Sequence, residues 1–76
     1  MKLPLISSDK VLKVLVNKKG FVVTRQKGSH LCLHKKAEEG MLLVVVPQKT
    51  QIKKGTLLSI LKQAKISRED FLELIK

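Results

Sequence analysis

The chain has 76 residues, with 16 Lys and Arg against 6 Asp and Glu, giving a formal net charge of +10. A chain this short buries only about 60% of the surface its unfolded form exposes, which predicts one small domain over residues 1–76 and excludes a two-domain enzyme cleft or a dinucleotide-binding α/β fold. So lopsided a charge predicts a polyanionic partner, nucleic acid first and an anionic membrane second, and 43% hydrophobic residues are too many for a disordered basic tail. The single cysteine excludes an internal disulfide framework and fits a reducing compartment. The longest apolar run, Met41 to Val46, is far short of a membrane span. The apolar part of the N-terminal segment is too short for a secretory signal, so a cytoplasmic domain is expected. Two Phe and no Trp or Tyr leave no stacking platform for single-stranded bases.

Ser7-Ser8-Asp9 opens the first predicted helix, with a hydroxyl to cap it and an acid in its first turn. Val11, Val14 and Leu15 follow with i, i+3, i+4 spacing, and Gly20 is placed to stop the helix. Its lysines, Lys10, Lys13, Lys18 and Lys19, read as a solvated face. Phe21 to Gln26 is rich in β-branched and aromatic residues and reads as a strand. Lys27-Gly28-Ser29 is a tight connection. His30-Leu31-Cys32-Leu33-His34 alternates polar and apolar, the pattern of a half-buried strand. A polar loop is expected over 35–40, then a strand from Leu42 to Val46 ended by Pro47, then a second loop to Gly55. Thr56 is the expected cap of a helix carrying Leu57, Ile60, Leu61 and Ala64. Ser67 caps a last one, with Asp70 in the reciprocal position and Phe71, Leu74 and Ile75 as its apolar stripe. The order α-β-β-β-α-α with hairpin connections predicts an α+β fold: a three-stranded antiparallel sheet with helices on one face.

Strand alternation sends Leu31 and Leu33 toward the helices, and His30, Cys32 and His34 onto the open face. These three are zinc-ligand types, but alternate residues of a strand lie roughly 6.6 Å apart and the outer two about 13 Å. Ligands of one zinc ion converge within about 2.3 Å of it, so no metal site and no cofactor are expected. None of the six carboxylates lies near His30 in sequence, which leaves little material for a paired-carboxylate hydrolase. A histidine behind Arg25-Gln26-Lys27-Gly28-Ser29 is instead a titratable group among cations. One reaction suits that toolkit: RNA cleaved by its own 2′-OH. The substrate brings the nucleophile, a histidine takes the proton near neutral pH, and Lys or Arg offset charge on the phosphate.

Lys2-Leu3-Pro4, Ser7, Gly20-Phe21, the segment Arg25 to His30, Val46-Pro47, Gly55-Thr56-Leu57, Ile60 to Ala64, and Ile66-Ser67 with Phe71 occur in this order along nearly the whole chain. In this combination the chain resembles the HicA family of toxins, small mRNA interferases of toxin–antitoxin pairs. The resemblance implies a double-stranded-RNA-binding-like fold, metal-independent endoribonuclease activity on mRNA, arrest of translation, and neutralisation by a cognate HicB-type antitoxin. It places the catalytic histidine on His30, with Gly28 and Ser29 as its supporting motif. Many members carry a second histidine shortly after Val-Pro. Here Gln48-Lys49-Thr50 follows Pro47, so Lys49 stands there as a phosphate contact. Arg25, Lys27, Lys49, Lys53 and Lys54 are the expected RNA-binding residues.

The segment from Leu42 to Val46 is apolar at every position, so either phase leaves apolar side chains on the open face, with Val22 joining them. Leu43 and Val45 are the expected outward pair, as an interface for an acidic antitoxin; Leu42 and Val44 are the pair for the opposite phase. Two other readings remain open to the sequence. A non-catalytic binder of structured RNA suits the same fold and charge. A membrane-surface or purely protein-binding module is disfavoured because the first helix lacks large aromatic anchors.

Overall fold

Ser7 gives the first helix an acceptor for its open N–H groups. It is extended (φ −77°, ψ 158°), and its side-chain oxygen accepts from the Lys10 amide, an N-cap. The computed structural model describes residues 5–75, so Lys2-Leu3-Pro4 of the family resemblance lies outside the described residues. Helix α1 spans Ser8–Lys13 and continues as a π turn over Val14–Lys18. A regular helix as far as Gly20 is thus corrected in its second half. The closing bond shows the wider winding: the Phe21 amide reaches back six residues to the Leu15 carbonyl, at 2.9 Å, where a Schellman closure reaches back five. Gly20 makes the stop with φ 77°, a left-handed conformation that costs glycine nothing.

Strands β1 (Val22–Lys27), β2 (His30–Ala37) and β3 (Gly40–Pro47) form an antiparallel sheet in the order β1-β2-β3. Gly28 takes φ 60° in the first hairpin while Ser29 does not, the pattern of a II′ turn. The polar loop expected over 35–40 is corrected: β2 runs on to Ala37 and only Glu38 and Glu39 form the turn. Lys35 tolerates the strand because it lies opposite Leu42 and holds its ammonium 5.8 Å from the centroid of the Phe21 ring, a cation–π contact. Pairing with β3 therefore overrides the polar composition of the segment. A β-bulge interrupts β1 between Val23 and Arg25.

Leu31, Leu33, Val44 and Val46 are buried on one face of the sheet, against Val11, Leu15, Leu57, Ile60, Leu61 and Phe71 of the helices. Each such side chain contributes roughly 1.5–3 kcal/mol on burial. Helix α2 spans Lys54–Ala64 and starts two residues before the expected cap at Thr56; Lys53 holds the cap position without a side-chain hydrogen bond. The start is set by tertiary pairing, since Ile52 is pinned to Ile6 through an amide-to-carbonyl bond of 2.8 Å. Lys65 ends α2 in the left-handed region (φ 57°), and Ile66 and Lys65 donate to the carbonyls of Leu61 and Lys62, a Schellman closure. Helix α3 covers Arg68–Leu74, with the Ser67 side chain accepting from the Asp70 amide. Along the outer edge of β3, the Gln63 side-chain oxygen accepts from the Val45 amide at 3.1 Å.

Candidate nucleic-acid interface

The open face of the sheet is set by register. On β2 it carries His30, Cys32, His34 and Lys36, which lie opposite Pro47, Val45, Leu43 and Met41 of β3. On β1, Lys27 faces His30, Arg25 faces Cys32, and Val22 faces His34. Partners opposite one another share a face, so one end of this surface is cationic and the other is mainly apolar, with Lys36 its exposed cation. His30, Arg25 and Lys27 are exposed at the first end; Val22, Leu43 and Met41 are exposed at the second.

His30 is the first residue of β2, straight after the Gly28-Ser29 turn. Three hydrogen bonds brace that turn. The Gln48 amide donates to the Ser29 carbonyl at 2.6 Å, extending the β2–β3 ladder past Pro47. The Gln26 side-chain nitrogen donates to the Gly28 carbonyl at 3.3 Å and to Gln48 Oε1 at 3.4 Å. The imidazole thus stands on a strand end locked from both sides, with Lys27 directly across from it.

Lys49 follows in the segment leaving β3, and its backbone is clamped. Ser8, the buried first residue of α1, donates its amide (2.9 Å) and hydroxyl (3.0 Å) to the Lys49 carbonyl, and its hydroxyl oxygen accepts from the Lys49 amide. The sequence gives Ser8 no more than a place beside the cap; that it ties the helix start to the segment behind His30 depends on a contact across 41 residues. Lys53 and Lys54 lie at the other end of this segment, at the N-terminus of α2. Lysine is the wrong sign for that end of a helix dipole. A phosphate there would meet two cations and the open N–H groups of an uncapped helix.

His34 is held differently. Its ring Nδ1 is hydrogen-bonded to the hydroxyl of Thr24, a residue that the β1 bulge brings over the strand. It lies four residues from His30, about 13 Å along the strand, so the two imidazoles serve different places. Among the described residues no group of three or more His, Cys, Asp or Glu is placed to hold a metal ion. No helix of the described residues is long and apolar enough to cross a membrane.

Leu43 and Val45 face outward, and Leu42 and Val44 inward, with Val44 fully buried. That fixes the phase of β3. In comparison with known families, the model for the HicA toxin of bacterial toxin–antitoxin systems matches residues 8–66. No curated protein matches the chain.

Proposed function

The chain belongs to the HicA family of toxins, and on that premise we propose that it is an mRNA interferase, an endoribonuclease that cuts mRNA and arrests translation. In this reading the His30 imidazole takes the proton from an RNA 2′-OH as that oxygen attacks the adjacent phosphorus. The bond to the 5′-oxygen breaks, that oxygen takes a proton from water and leaves as a 5′-hydroxyl, and a 2′,3′-cyclic phosphate remains. Lys27 and Arg25, on the same face as His30, offset charge developing on the phosphate oxygens. Lys49, Lys53 and Lys54 hold phosphates further along the strand. Gly28 and Ser29 fix the turn from which His30 projects. No divalent ion is needed, because the substrate supplies its own nucleophile.

The observation that carries this reading is the exposed His30 on a doubly tied strand end, with Lys27 opposite it and Arg25 on the same face. We assign a cognate HicB-type antitoxin to the same face. Its contacts would be the outward Leu43 and Val45 with Val22, so that it covers His30 while burying apolar surface that the helices leave bare. The test is cleavage of a defined mRNA in excess EDTA, with mapping of the new ends. Cyclic-phosphate ends formed by the wild type and not by His30→Ala are expected. Tight RNA binding without any cleavage would favour the structured-RNA binder instead.

A further inference from the structure

A second surface lies away from the strands. α1, the π turn and the end of α3 border an open cleft of about 270 Å³, lined by Lys10, Lys13, Val14, Asn17, Lys18, Leu74 and Ile75. No strand residue and no acidic residue is among them. Its apolar part is Val14 from the π turn and the half-buried Leu74 and Ile75 from the end of α3. Lys10 and Lys13 come from α1 and Lys18 from the π turn. Turns of the π type are rare and occur often at functional sites.

We propose that this cleft docks an acidic segment of a protein partner through one bulky aliphatic side chain. Size admits the anchor: at about 270 Å³ the cleft lies just under the range of small-molecule pockets, about 300–1,000 Å³, and has room for a leucine side chain on its apolar floor. Charge selects the flanks, since three lysines surround an apolar floor and glutamates or aspartates beside the anchor would meet them. RNA fits poorly, because a base needs an aromatic platform and both phenylalanines are buried in the core. The cleft belongs to the helix side, so a partner here leaves the His30 face open. The toxin can then be held at a second place while its sheet face is free or occupied.

The probe is a short labelled peptide of glutamates around one central leucine, titrated into the isotopically labelled full chain. Amide shifts confined to residues 10–18 and 73–75 are expected, with those of His30 and 41–45 unmoved. Replacing the central leucine by glycine should weaken binding at least about tenfold, the factor that burial of one such side chain supplies. Lys13→Glu with Lys18→Glu should do the same, and both positions are exposed, so the fold is retained. Ile75→Glu tests the floor separately. Equal affinity for the glycine peptide, or shifts spread over the whole cationic surface or centred on the sheet face, would overturn the proposal. So would an RNA oligonucleotide that moves the cleft resonances more than the peptide does.

Discussion

Leu31, Leu33, Val44 and Val46 are buried on one face of the sheet, while His30, Met41 and Leu43, one residue out of phase on the same strands, are exposed. The two faces share every backbone hydrogen bond of β2 and β3, so backbone does not distinguish them. The covered face is apolar because stability requires it. The open face is cationic at one end and mainly apolar at the other, and the folding of this chain alone requires neither. Side chains on that face are therefore free to serve binding and chemistry, at small cost when changed.

That contrast can be broken most sharply by one substitution on each face. His30→Ala should cut RNA cleavage by roughly a hundred- to ten-thousand-fold, the range for losing a general base, and leave the melting temperature unchanged. Leu33→Ala, three residues on but inward, should cost about 2–5 kcal/mol in a urea titration, enough to unfold much of so small a domain. An alanine at position 30 that destabilises the chain as much as one at 33 would erase the distinction.

The apolar end of the open face gives the next largest effect. Leu43→Asp and Val45→Asp should each weaken antitoxin binding by about tenfold or more, since each loses an apolar contact of roughly 1.5 kcal/mol or more and buries a charge. Calorimetry on the purified pair measures it, and RNA cleavage by each free variant should persist. Hydrogen exchange sharpens the same point: antitoxin should add protection at His30 and along β3, and none there would refute inhibition by covering this face.

The cationic end yields a smaller, graded effect. RNA affinity should fall linearly on a log–log plot against salt, and replacing any one of Arg25, Lys27, Lys49, Lys53 or Lys54 by Gln should reduce the slope by about 0.7. A slope that none of the five changes would assign these residues to solubility alone.

The smallest effect lies at the Glu38-Glu39 turn, remote from both faces. Lys65 Nζ sits 2.6 Å from the Glu39 carboxylate, and this hydrogen bond and charge hold the Glu39 pKa below its usual value. A carboxylate depressed in the folded state adds stability above its unfolded pKa and loses it as pH falls through the folded value. Glu39→Gln should therefore flatten slightly the loss of melting temperature below the ordinary carboxylate range, and change nothing at His30.

Periodicity made much of this architecture legible. Alternation at Leu31 and Leu33 separates the two faces, helical spacing at Leu57, Ile60, Leu61 and Ala64 marks a buried stripe, and Ser7 and Ser67 act as the caps their positions predict. The phase of β3 was not legible, because five consecutive apolar residues carry no alternation; pairing with β2 decides it. The polar tract from Lys35 hid the rest of β2 for the complementary reason, since strand pairing there outweighs composition. Thr56 has the chemistry of a cap but lies inside α2, because the start of that helix is fixed by the pairing of Ile52 with Ile6, which no local pattern encodes. His30 stood out by the cations before it. The clamp of Ser8 on Lys49 and the grip of Thr24 on His34 arise from contacts distant in sequence or from a bulge, and spacing rules contain neither.

The bond from the Val45 amide to Gln63 bears on what becomes of this chain when no partner is present. β3 is an edge strand, and an uncovered edge offers a row of N–H groups to which another chain can add as a fourth strand. Gln48, one place beyond Pro47, donates inward to β2, so the amides pointing outward at this end belong to positions 45 and 47. Position 47 is proline and has no donor. Position 45 is stoppered by an amide side chain that reaches down from α2. An incoming strand thus finds no free hydrogen to pair with over this stretch, beside some of the most aggregation-prone sequence in the molecule. A toxin released from its inhibitor must stay dissolved long enough to reach its target, and Gln63 together with Pro47 keeps that end of the sheet from polymerising.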